Sequence, residues 1–441
     1  MKKFKYIAIT AAVLFSGFAF RLGGIMAVIG IMLSVYAFYR LLTQEDKWFP
    51  IGELALSMGA FQWIISPLIA YTMPSPMFPM SQSCSEYMLY TVPLYSCLMI
   101  GYLKFRKPAN ITTEEMQVKC SHAIKVAKVF IGLGVFVTIL PLNIPLINQI
   151  NKFISLLMYA GFIILMIAKP QKSLLYMSIP IVFTLLLSIR SGMFHELLTW
   201  GCFMLFVWFR INKVNVVRRL LIIAAALLMV NTLQTVKSSF RETAWHSSGF
   251  NVVLFVDLMV NNVSSGANLE GDADNNSRYN QGWIISSIYN HVPNNHEYFY
   301  GRTYADAIVS TLLPRFLAPN KKGSGEQVQS DFMEMTGVTI NKNTSMSLST
   351  IGEAYGNFGI IGGCIFLLLW GWFIAKVETF HHNMSQTHNF IWLLMMPITC
   401  LVLIEAELSM MMVLNWTVKG VIFAMIIVYL TRNYANNRLL K

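Results

Sequence analysis

About twelve apolar runs recur along this 441-residue chain, at roughly 6–20, 23–39, 52–72, 86–103, 129–147, 153–168, 173–189, 193–209, 220–236, 354–375, 389–404 and 409–431. No other feature constrains the fold as tightly. A helix needs about 20 apolar residues to cross a bilayer, and backbone groups that lipid cannot satisfy force such a run to be helical. Hydrophobic residues make up 55% of the chain and charged ones 12%, a balance foreign to water-soluble domains. The expected fold is an all-α integral membrane protein with about twelve transmembrane helices.

The formal net charge of +12 raises a nucleic-acid partner as one explanation, but the basic residues fall between apolar runs. That placement marks topology instead, because Lys and Arg accumulate in cytoplasmic loops. With the N-terminus inside, Lys2, Lys3, Lys5, Arg40, Lys47, Lys104, Arg106, Lys107, Lys169, Lys172, Arg210, Arg218 and Arg219 all fall on the cytoplasmic side. The short outer loops hold only Arg21, Lys152 and Arg190. Both termini are then cytoplasmic. The first twenty residues have the basic start and apolar middle of a secretory signal. A second apolar run follows at once, which favours a retained helix.

Three segments result. Residues 1–237 carry nine helices with short loops, 238–350 form one large extracytoplasmic loop, and 351–441 carry three more helices. Long loops are uncommon unless functional. This one holds apolar and aromatic clusters, WIISSIYN and YADAIVSTLLPRFL, so a small helical subdomain is expected.

Its cations are Arg241, Arg278, Arg302, Arg315, Lys321, Lys322 and Lys342. A long translocated loop tolerates such charges, so an ordinary solvated surface is one reading. The other is an anion site, since the guanidinium fork matches phosphate oxygens and would offset charge developing on a diphosphate leaving group. Arg190, at an outer turn before His195 and Glu196, reads equally as a snorkelling interface residue or as the mouth of a substrate cavity.

The stretch IGEAYGNFGIIGG spaces Gly352, Gly356, Gly359 and Gly363 for close helix packing. It also sets Glu353 and Tyr355 beside the basic loop, where an acid pairs with a cation or acts as general base. Lys419, Glu405 and Glu407 lie within or near predicted spans, and a Glu–Lys contact between two helices would account for them. His246, His291 and His296 lack metal-ligand spacing, and DADNNS, which contains Asp272 and Asp274, lacks the glycine and terminal glutamate of a calcium loop. The six cysteines show no paired spacing. Neither a metal nor a cofactor is expected.

The sequence from Tyr300 to Gly323, YGRTYADAIVSTLLPRFLAPNKKG, and that from Ser347 to Gly363, SLSTIGEAYGNFGIIGG, together with the helix and loop order, resemble the O-antigen polymerase (Wzy-type) or oligosaccharide repeat unit polymerase family. The resemblance implies a GT-C-like fold in the bacterial inner membrane and a metal-independent glycosyltransferase. Its substrate would be an undecaprenyl-diphosphate-linked oligosaccharide, and a polysaccharide chain-length regulator is an implied partner. Arg190 and Gly201 match the family's spacing of Arg, ten residues and Gly, but the loop supplies no second copy: Tyr289 follows Arg278 at that distance, and Leu313 follows Arg302. By the resemblance, Arg315, Glu353, His291 and Arg190 are the expected catalytic residues, with Glu353 or His291 as the base. Arg278, Arg302, Tyr355 and Lys321 are expected to bind substrate. An O-antigen ligase and a polysaccharide flippase are the competing functions.

Overall fold

The computed structural model describes residues 2–44, 46–108, 111–140, 148–191, 193–229, 257–258, 279–313, 323–341, 346–387 and 389–436. Within them the protein is helical, with no strand. Seven of the described helices are long and apolar enough to cross a membrane, or eight if one bent pair forms a single span.

The first two apolar runs form one element, α1 (Lys2–Thr43), broken where Gly24 takes φ 65°. A side chain rarely adopts that conformation. α2 (Ile51–Gly59) runs through a π-helical turn (Ala60–Ile65) into α3 (Ser66–Thr72). α4 (Cys84–Phe105) starts in a capping box, in which the Ser83 hydroxyl accepts from the Glu86 amide and the Glu86 carboxylate accepts from the Ser83 amide. α5 (Thr113–His122) and α6 (Ile124–Ile139) meet at a 71° bend, and α7 (Asn148–Ala168), α8 (Ser173–Ser191) and α9 (His195–Ile211) follow. Residues 216–229 are also helical.

The segment between 238 and 350 contributes α10 (Gly282–His291), α11 (Arg302–Leu312) and α12 (Ser324–Thr336). The chain then returns through α13 (Thr350–Thr387), α14 (Ile391–Thr399) and α15 (Met410–Asn436).

Among the described residues, α4 and α13 form the most extensive helix pairing. Glycines permit it: a Cβ on Gly101 would overlap the Leu368 carbonyl oxygen, and one on Gly371 would overlap that of Leu98. Backbones approach this closely only where neither helix carries a side chain.

The run at 389–404 departs from the expected span. It forms the nine-residue α14 and a 3-10 turn (Leu401–Leu403), and every residue from 389 to 404 is buried. A segment apolar on all faces suits protein packing as well as lipid, so composition alone could not separate the two. The irregular backbone finds partners inside the protein, as at Ile398, whose carbonyl accepts from Trp416 Nε1 at 2.8 Å. Elsewhere apolar side chains face outward, among them Leu14, Ile361 and Leu430.

At the turn between α1 and α2, Lys47 is enclosed between Glu53 and Glu378, with Lys47 Nζ at 3.3 Å from Glu53 Oε2. Tyr102 donates to Glu53 at 2.6 Å, and the Gly52 amide donates to Glu378 at 2.8 Å. Arg106 reaches Glu53 at 3.2 Å. Buried charges persist in a membrane protein when they are paired in this way.

Candidate functional site

The segment carrying α10, α11 and α12 docks on the start of α13. Phe299 and Tyr300 donate their amides to the carbonyls of Gly356 and Asn357 at 3.0 and 2.9 Å, and the Gly301 amide reaches Asn357 Oδ1 at 3.0 Å. Thr303 donates its hydroxyl to Glu353 at 2.7 Å, and Asn357 Nδ2 donates to Thr303 at 2.8 Å. The second carboxylate oxygen of Glu353 accepts from the Met410 amide at 2.7 Å, which ties α15 to the same point. Glu353 is only 2% exposed, with both oxygens engaged.

The glycines of this stretch face the subdomain. A Cβ at Gly352 would press on Ile288 and one at Gly356 on Met335, while Gly359, at φ 65°, sits against Tyr298 and breaks α13. Close packing is their role, with α10 and α12 as the partners of Gly352 and Gly356. Tyr355 belongs to an aromatic cluster in which Tyr289 lies 4.5 Å away, Tyr90 5.6 Å and Tyr298 6.1 Å between ring centroids.

Arg302, at the first turn of α11, pairs with Glu334 and lies 4.6 Å over the Phe299 ring. Against the upward pull of partial burial, Arg302 holds the Glu334 carboxyl below its usual value. Beside it, Asp331 is 4% exposed and accepts from Gln327 at 2.9 Å. Burial pushes its carboxyl up to about 6. His291 is half-buried at the end of α10, next to His296 and Gly337, and burial followed by the His296 charge lowers its pKa.

A second group of polar residues lies on the other side of the same helix start. Ser349, at φ 63°, accepts from Trp63 Nε1 at 2.7 Å and donates to the Ala406 carbonyl at 2.8 Å. A small recess of about 20 Å³ opens here, lined by Trp63, Thr350, Trp370, Glu405, Ala406 and Val413. Glu405 pairs with His195 at 3.2 Å, and Lys152 pairs with Glu196. Lys419 donates to Gln149 at 2.8 Å.

Of the residues expected to carry the site, Glu353, Tyr355, Arg302 and His291 fall in or beside the docked subdomain. Arg190 lies in the last turn of α8, and its side chain is outside the described residues. Arg278, Arg315 and Lys321 lie outside them as well, as do His246, Asp272 and Asp274. Sequence reasoning missed Thr303, Asn357 and Asp331. The signal available for the first two was the four-residue spacing of Glu353 and Asn357, which puts both on one helix face.

A family model described as a domain of unknown function, DUF8712, matches residues 78–384. No curated protein and no solved structure matches this chain.

The chain belongs to the DUF8712 family, whose matched region takes in α4 through most of α13 and therefore the whole docked subdomain.

Proposed function

We propose that this membrane protein is a polymerase of surface polysaccharide, a metal-independent glycosyltransferase of GT-C-like fold with about twelve spans and both termini in the cytoplasm. It would transfer an undecaprenyl-diphosphate-linked glycan onto the sugar of another lipid-linked repeat at the outer face of the bacterial inner membrane. One observation carries the reading: the two stretches on which the resemblance rests meet in space, through the Thr303–Glu353 and Tyr300–Asn357 hydrogen bonds.

In this scheme arginines of the outer segment, Arg302 among them, bind the diphosphate and match its charge as it departs. The acceptor hydroxyl loses its proton to a carboxylate or imidazole. His291 is half-exposed and suits that role better than Glu353, whose oxygens are both engaged. Glu353 is assigned to positioning, since it ties α11, α13 and α15 together.

The test is a gel of surface polysaccharide from a strain deleted for this chain, with and without complementation. A ladder that collapses to one repeat unit supports the polymerase. An intact ladder held on the lipid carrier indicates a ligase. Loss of all repeats from the outer face indicates transport.

A further inference from the structure

We infer that His195, Glu405 and Glu407 form a divalent-cation site next to the recess that Glu405 lines. Their ligand atoms lie within 4.8 Å of one another. His195 Nε2 and Glu405 Oε1 are 3.2 Å apart, the separation expected of two atoms bound to one ion at about 2.0–2.2 Å.

The second observation is at Glu407. Gln62 hydrogen-bonds the carboxylate, but Oε2 is enclosed by protein and has no partner of its own, and buried carboxylate oxygens are costly to leave unpaired. The two carboxylates also repel each other in a partly enclosed place. The neighbouring cation, Lys152, is engaged by Glu196. An ion held by one imidazole and two carboxylates answers both problems, and this donor set suits Zn2+, Mn2+ or Co2+.

The three ligands come from two places in the chain, the first turn of α9 and the segment after the 3-10 turn. That segment is fixed: the Ser349 amide donates to the Glu407 carbonyl at 3.1 Å, and the Ser409 amide to Ser347 Oγ at 2.6 Å. The geometry is therefore built before an ion arrives. Glu405 also lines the recess, so an ion there keeps open positions toward whatever enters. The inference is independent of the polymerase reading, which requires no metal.

The experiment uses the full chain in detergent, stripped with a chelator, dialysed and titrated with Co2+ as the spectroscopic probe. Uptake of one Co2+ per chain, displaced by Zn2+, is expected. His195→Gln and Glu407→Gln should each weaken it by more than the roughly 10–100-fold that outer-shell changes cost. His195 has a side chain 59% exposed, so its replacement should leave the fold intact, checked by gel filtration. No Co2+ uptake by the native chain, or equal uptake by folded His195→Gln protein, overturns the assignment.

Discussion

The Thr303 hydroxyl donates to the Glu353 carboxylate at 2.7 Å, joining α11 to the start of α13. Thr303→Val keeps the shape and removes the donor from a buried oxygen, a loss of about 1–3 kcal/mol. A lower melting temperature in detergent is expected, and Thr303→Ser should restore most of it. An unchanged melt would show that the contact does not hold the subdomain.

Arg302 tests the anion site separately from stability. Its pair with Glu334 is exposed, and such pairs contribute about 0–1 kcal/mol. Arg302→Ala should therefore melt almost as the parent does yet shorten or abolish the polysaccharide ladder. A normal ladder from that variant would remove Arg302 from the substrate site.

Asp331 should make stability depend on pH. Its folded pKa, about 6, is above its ordinary value of 3.8, so the folded protein holds the proton more tightly than the unfolded one. The stabilisation is complete below about 3.8 and is lost as pH rises through about 6. Asp331→Asn should match the parent near pH 4 and exceed it at pH 7 in a series of thermal melts. Parallel melting curves across the range would show that Asp331 carries no such coupling.

Lys47 is surrounded by carboxylates, so Lys47→Met should leave Glu378 buried without its cation and destabilise by about 3–5 kcal/mol. Adding Glu378→Gln removes the orphaned charge and should recover part of the loss. Yield of folded monomer by fluorescence-detected gel filtration reads both.

At the α4–α13 seam, Gly371→Ala would force apart two backbones already in contact, at a cost of about 1–3 kcal/mol. Gly17, where an added Cβ meets nothing within 4 Å, is the control and should tolerate alanine. Thermal melts compare them.

The sequence by itself determined that this chain is helical and belongs in a membrane, because long apolar runs have no other stable arrangement in lipid. It also marked the segment from 238 to 350 as different, and it drew the eye to Glu353, Tyr355 and Arg302. Tertiary structure decided what those residues do. Hydrophobicity is the same whether a side chain meets lipid or protein, so only packing revealed that 389–404 is a broken, buried element and that Gly352 and Gly356 face α10 and α12. Hydrogen bonds between residues fifty or more apart, such as Thr303 to Glu353 and Met410 to Glu353, leave no periodic trace in the chain. The same holds for His195 beside Glu405 and Glu407: a cluster assembled from two distant turns has no spacing to read, and forms only once the helices have packed.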